Sequence, residues 1–341
     1  MYHFCTYFDH RYLPRGLALY ASLKKHCSSF HLSILSLSEE CSRALAALDL
    51  PEVTVVSLRN LEAFDAALLR ARENRSLIEY YFTLTPSWML YLFENDAAPA
   101  MFTYLDADLF FFSDPAPVFA ELRDASIGII GHRFPPAFKD FERFGIYNVG
   151  WLSFRRDANA DACLRWWRER CLEWCYDRAE NGRFADQKYL DDWPSRFKNV
   201  AVVEHKGAGV APWNIQSTTI NRHQGRFLID GEPLIFYHFH GIQMLTAFLY
   251  TTGLVPYGVK ASGDLSRLYS IYLNELNEWA HSAKVGDRIR YNHDQSFIRR
   301  ILLEPSFFKF RGIAFEFDPS PVVKTARYFK RLLARKQAAS P

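Results

Sequence analysis

The stretch FTYLDADLFFFSDP, residues 102–115, starts as an apolar strand, stops at two carboxylates and then returns to three consecutive phenylalanines. Carboxylates are rarely buried without a partner, so a strand that ends in Asp106 and Asp108 demands one. The immediate neighbours are apolar. The partner must come from elsewhere: a metal ion, a basic side chain, or water at the rim of a cleft.

On either side of this stretch, strands and helices alternate. MYHFCTYF reads as a first strand, with Leu17, Tyr20 and Leu23 following at helical spacing. HLSILSL is a second strand, and Ser38 suits the N-cap of a helix carrying Leu45 and Leu48. VTVVSL is a β-branched third strand. Helical patterns fill Leu61 to Arg75 and Ser87 to Phe93, and MFTYL is the fourth strand. Such alternation predicts an α/β fold with a mostly parallel sheet and helices on both faces. In such sheets the ligand crevice lies beyond the carboxyl ends of the strands, where Asp106 and Asp108 fall.

Two residues apart on extended backbone, the two carboxylates face the same way and start roughly 7 Å from each other. That separation suits one direct metal ligand and one group that reaches a ribose, a water or the same ion from the side. Hard oxygen donors hold Mg²⁺ or Mn²⁺. An isolated Asp-x-Asp, being so short a pattern, reads first as a turn cap or an arginine partner.

Composition narrows the class. A chain of 341 residues, 49% hydrophobic and 23% charged, builds a sizeable globular core. A net charge of +3 gives no footprint for nucleic acid. Aromatics make up 16%, which suits stacking on sugars or bases, although most of the 29 Phe must be core. No apolar run approaches the roughly 20 residues of a spanning helix. The N-terminus lacks the basic start and apolar run of a signal peptide, so the expected location is the cytoplasm. Cys5, Cys27, Cys41, Cys163, Cys171 and Cys175 form no CxxC pair, in keeping with that location.

The strand-terminal aspartates are followed by YNVGWLSFRRD (147–157), FADQKYLDDWP (184–194), GAGVAPWN (207–214) and YHFHG (237–241). In this order and at these intervals the set resembles the glycosyltransferases of the GT-A fold, most of all family 8 and related bacterial lipopolysaccharide or capsule transferases. The resemblance covers roughly residues 1 to 245. It implies a nucleotide-sugar donor, a UDP-sugar being favoured, and a glycan or glycolipid acceptor. It also implies Mn²⁺ or Mg²⁺ held by Asp106, Asp108 and His238. On the same basis Asn148 and Gly150 line the sugar, and Asp186 and Gln187 face the reacting carbon, with retention of configuration favoured. From the residues alone, His238 also reads as a core histidine with His240 as its competitor, and Asp186 as the N-cap of a short helix.

After the first strand the resemblance places the nucleotide base, with Thr6, Tyr7, Asp9 and Tyr12 as candidates. In EYYFTLTP (79–86) the family's arginine near the donor phosphates is missing, and Thr83 or Thr85 stands in its place. The family's late Lys-Pro-Trp is replaced by GIQMLT, which leaves Lys206 as a candidate substitute charge. A sugar-1-phosphate nucleotidyltransferase is the alternative enzyme, but its Gly-rich basic loop is absent near the first strand. A non-catalytic carbohydrate-binding protein is the other alternative.

The transferase domain is expected over 1–260 and a C-terminal helical extension over 261–341. Leu265, Leu268, Tyr269, Tyr272, Leu273, Leu276 and Trp279 form a helical stripe there. The tail from 322 interleaves Lys324, Arg327, Lys330, Arg331, Arg335 and Lys336 with apolar residues. That pattern suits a helix lying on an anionic membrane surface, or a solvated terminal helix.

Overall fold

The computed structural model describes residues 1–282 apart from 97, 98, 247, 248 and 262. These fall into two compact units, Met1–His238 and a second that begins at Phe239. The basic tail lies outside the described residues.

The first unit opens with β1 (Tyr2–Phe8), α1 (Leu13–His26), β2 (Phe30–Ser36), α2 (Glu39–Leu48) and β3 (Val53–Ser57). Serines set the helix starts. Ser38 accepts from Cys41 N at the head of α2, and Ser57 from Asn60 N at the head of α3 (Leu58–Phe64). The helical pattern of 61–75 is two short helices, α3 and α4 (Ala67–Arg72), broken at Asp65 and Ala66. The break is held from outside: Arg168 and Ser87 both donate to the Asp65 carboxylate, Ser87 Oγ at 2.7 Å and Arg168 Nε at 2.6 Å.

Next comes α5 (Leu77–Asn95), longer than the 87–93 pattern foretells. A reciprocal Ser76–Glu79 capping box starts it, and it continues through Pro86. Proline inside a helix is locally unfavourable. Tertiary packing overrides this, because Tyr80, Leu84, Trp88 and Met89 are buried against the sheet.

Then follow β4 (Met101–Leu105), β5 (Leu109–Phe111), α6 (Ala116–Glu121), β6 (Ile127–Gly131), β7 (Tyr147–Arg155) and α7 (Ala158–Glu173). The unit closes with α8 (Trp193–Arg196), β8 (Val200–Val203), β9 (Ile220–His223), β10 (Arg226–Ile229), β11 (Glu232–Pro233) and β12 (Phe236–His238). The main sheet has seven strands in the order β3-β2-β1-β4-β7-β6-β8. Every pairing is parallel except the two made by β7. One face is covered by α5 and α7, which bury Trp88 and Trp167 beside Phe102, Tyr104, Leu152 and Phe154. On the other face, Phe119 of α6 stacks on Tyr2, and Gly16 of α1 lies against Phe8. This is the mixed, mostly parallel sheet with helices on both faces that the resemblance implies.

The chain runs outward from β1 to β2 and β3, then returns to place β4 on the other side of β1. That reversal is a topological switch point, and it opens a crevice beyond the ends of β1 and β4. In the second unit β13 (Gln243–Thr246) pairs with β14 (Leu249–Thr251), and the C-terminal stripe forms α9 (Gly263–Ser282). Phe239 stacks at 3.8 Å on Tyr272 of α9. No described helix is long and apolar enough to cross a membrane.

Candidate functional site

β4 stops at Leu105, and Asp106, Ala107 and Asp108 form a turn rather than extended strand. The strand-like spacing of the two carboxylates is therefore not how they are presented. The turn is tied down by Asp106 N donating to the Gly150 carbonyl and Leu109 N donating to the Asp106 carbonyl, both at 3.1 Å. Beyond it, β5 pairs antiparallel with β12 and sets Leu109 opposite His238. That register delivers the imidazole to the carboxylates. His238 Nε2 lies 3.0 Å from Asp108 Oδ1 and 3.6 Å from Asp106 Oδ2. His240 is exposed and belongs to the second unit.

The floor under His238 is Gly150. A Cβ there would sit 2.4 Å from Asn148 Oδ1 and 3.0 Å from His238 Nδ1, so close approach requires glycine. Asn148 Oδ1 accepts from Gly150 N at 2.8 Å, while its amide lies 3.2 Å from His132 Nε2 and 3.4 Å from Gln187 Oε1. Gln187 in turn donates to the Phe144 carbonyl. Trp213 meets both His132 and His238 edge to face, each at 5.2 Å, and donates its indole N–H to the His132 carbonyl. Neither His132 nor Trp213 stood out in the sequence, because only the fold wedges the indole between two imidazoles.

A third carboxylate faces this cluster from across the sheet end. Asp186 is 4% exposed, and its Oδ2 accepts from Thr85 Oγ1 at 2.8 Å. It does not cap the following short helix, which begins at Lys188 with Gln187 at its cap. Thr85 Oγ1 lies 3.0 Å from the Tyr7 hydroxyl. The Tyr7 ring packs 5.5 Å from that of Tyr104, whose hydroxyl donates to Asp106 Oδ1 at 2.9 Å. Hydroxyl side chains thus line the way from Asp186 to Asp106, with a ring contact between Tyr7 and Tyr104. Tyr104 was legible in principle: the strand period of two puts it on the face of Asp106.

The electrostatics follow from burial. Burial pushes the Asp106 carboxyl up to about 6, opposed by His238 and helped by Asp108. Burial pushes Asp186 up to about 7, opposed by the Thr85 hydrogen bond and helped by the Asp106 charge. Burial disfavours the His238 imidazolium, but the charge and hydrogen bond of Asp108 outweigh it, so its pKa is raised. Two carboxylates, half-buried Asp106 and buried Asp108, beside one imidazole are short of positive charge. Their oxygen and nitrogen donors suit a divalent ion, Mn²⁺ better than the harder Mg²⁺.

The other predicted residues are more dispersed. Thr6 is fully buried on β1, and its hydroxyl has no hydrogen-bond partner among the described residues. Asp9 accepts from the backbone of Arg11 and Tyr12 and from the Tyr81 hydroxyl, so it shapes the turn after β1. Tyr12, 45% exposed, carries the Arg15 guanidinium 4.3 Å above its ring. Thr83 is buried in α5 and donates to the Glu79 carbonyl one turn back; Thr85 is the threonine that reaches the cluster. Lys206 pairs with Glu232 at 3.6 Å. All six cysteines are buried and free.

No family model matches the chain. It is similar to YfnD of Bacillus subtilis (strain 168), 33% identical over 281 residues, 82% of this chain and 89% of that protein. YfnF of the same organism is 33% identical over 251 residues, 71% of this chain and 82% of that one. Both are described as uncharacterized proteins. Among solved structures, the galactosyltransferase LgtC with donor and acceptor sugar analogues is 17% identical, with a TM-score of 0.46 over 72% of this chain and 89% of that one. Mouse xyloside xylosyltransferase 1 is 15% identical, with a TM-score of 0.45 over 70% of this chain and 98% of that one.

Proposed function

The chain belongs to the family of YfnD and YfnF, and from that premise we propose that it is a metal-dependent glycosyltransferase, moving a sugar from a nucleotide-sugar donor to a glycan or glycolipid acceptor. One observation carries the proposal. Asp106 and Asp108 converge on His238 at the sheet's switch point, 3.6 and 3.0 Å from the imidazole, with buried Asp186 held by Thr85 nearby.

In this proposal Asp106, Asp108 and His238 hold a divalent ion, Mn²⁺ or Mg²⁺. When bound, the ion supplies Lewis-acid stabilisation for the departing diphosphate. The turn after β1 offers Tyr12 as a stacking surface for the base, shaped by Asp9, with Thr6 and Tyr7 on the strand beneath. A UDP-sugar is the favoured donor. Asp186 accepts hydrogen bonds from sugar hydroxyls, and Asn148 and Gly150 shape the floor. Gln187 is an uncharged amide already committed to the Phe144 carbonyl, and a neutral amide is a poor base. That supports retention of configuration. The expected division at 260/261 and a peripheral membrane contact through the basic tail complete the proposal.

The test is thermal stability with UDP-, GDP-, CMP- and dTDP-sugars, with and without Mn²⁺. A ligand at one hundred times its dissociation constant adds about 2.7 kcal/mol, which is readily measured. One nucleotide class should stabilise the protein, and only with the metal. No shift with any of them, or a shift unaffected by chelator, would overturn the proposal.

A further inference from the structure

Pro86 has no N–H, so the Phe82 carbonyl, one turn back in α5, lacks its backbone donor. Thr85 Oγ1 lies 3.2 Å from that carbonyl and 2.8 Å from Asp186 Oδ2. A hydroxyl has one proton, and the shorter contact to the carboxylate takes it. The Tyr7 hydroxyl, 3.0 Å away, then supplies a proton to the Thr85 oxygen from behind. Thr85 is fully buried, so a carboxylate that lost it would find no water in its place.

Asp186 is fixed on its other side too. Trp167 Nε1 donates to the Asp186 carbonyl at 2.8 Å. The preceding residue, Ala185, sits at φ 47, a region that side-chain-bearing residues adopt at a cost of roughly 1–2 kcal/mol. Its N–H is held by the Tyr176 carbonyl. A proline inside a helix and a strained alanine before the carboxylate are two departures from local preference that meet at one side chain. Such departures concentrate at functional sites.

We infer that Thr85 is a positioning residue for Asp186, with Tyr7 holding the Thr85 hydroxyl in place. The inference rests on the reading of Asp186 as a donor-sugar residue. It goes further in assigning the orientation of that carboxylate to a side chain that need not touch the substrate.

The experiment compares Thr85→Val, Thr85→Ser, Tyr7→Phe and Asp186→Asn, using the nucleotide-sugar that stabilises the parent protein and the corresponding nucleoside diphosphate as binding probe. Thr85→Val keeps the shape and removes the hydroxyl. It should lower kcat about 10- to 100-fold, the range lost when a partner that orients a functional group is removed. Nucleoside diphosphate affinity should stay within about twofold, because the Thr85 hydroxyl is engaged by Asp186 and Tyr7 rather than by a nucleotide. Thr85→Ser should restore most of the rate, and Tyr7→Phe should fall between the two.

Equal losses in Thr85→Val and Thr85→Ser would overturn the inference, since the hydroxyl would not be the determinant. So would full turnover in Thr85→Val beside an inactive Asp186→Asn, which would leave the role of Asp186 standing. Full turnover in Asp186→Asn would remove that role and the inference with it. If Thr85→Val does not fold, Tyr7→Phe decides: unchanged turnover there overturns the inference.

Discussion

Replacing Asp186 with Asn should make the protein more stable while lowering its turnover. The carboxyl is 4% exposed, and its pKa rises from 3.8 to about 7, mainly through burial. At about 1.36 kcal/mol per pH unit, keeping it ionised in the fold costs roughly 4 kcal/mol. Asn retains an acceptor for the Thr85 hydroxyl and carries no charge. After the amide's own burial cost, a net gain of about 1–3 kcal/mol should remain at pH 8. For a domain of this size that is a rise in melting temperature of roughly 3–9 °C.

The pH dependence fixes the mechanism. Between the unfolded pKa of 3.8 and the folded value of about 7, the folded state binds the proton more tightly. Wild-type stability from this group therefore falls as pH rises through that window, and the cost is complete above about 7. The advantage of Asn should narrow steadily as pH falls from 8 towards 4. Urea denaturation of both proteins in chelator at pH 8, 6.5 and 5 measures it. An advantage that does not shrink on acidification, or no advantage at pH 8, would refute the account of Asp186 as a strained, buried anion. Turnover measured alongside should fall strongly while nucleoside diphosphate still binds.

Three further outcomes are expected. Asp108→Asn removes the carboxylate nearest His238 and should weaken Mn²⁺-dependent nucleotide stabilisation at least tenfold in metal concentration; an unchanged titration would count against the metal site. Gly150→Ala drives a methyl to within 3.0 Å of His238 Nδ1 and should lower turnover more than it lowers stability, as read by kinetics beside urea denaturation. Arg168→Met leaves the Asp65 carboxylate buried with Ser87 as its remaining side-chain donor and should destabilise by about 3 kcal/mol with nucleotide affinity intact; a loss under 1 kcal/mol would show that the pair does not hold the α3–α4 break.

What the sequence determined by itself is local. Period-two and period-3.6 patterns place β1 to β4 and α1, because each pattern is a property of neighbouring side chains. Ser38 is legible as a cap because a cap acts within three residues. The ending of β4 in carboxylates, and hence the place of the crevice, is also in the sequence, because burial of unpaired charge is costly anywhere. Tertiary structure decided the rest. The helical pattern starts only at Ser87, after Pro86, yet α5 runs through the proline because the flanking turns bury Leu84, Trp88 and Met89. The Asp65–Arg168 pair that breaks the 61–75 pattern joins residues 103 apart. Thr85 and Asp186 are 101 apart, and a hydrogen bond needs both partners within about 3 Å, which no local pattern encodes. Only the pairing of β5 with β12 brings His238 to Asp108, because strand register is set by the folded sheet and not by either strand alone.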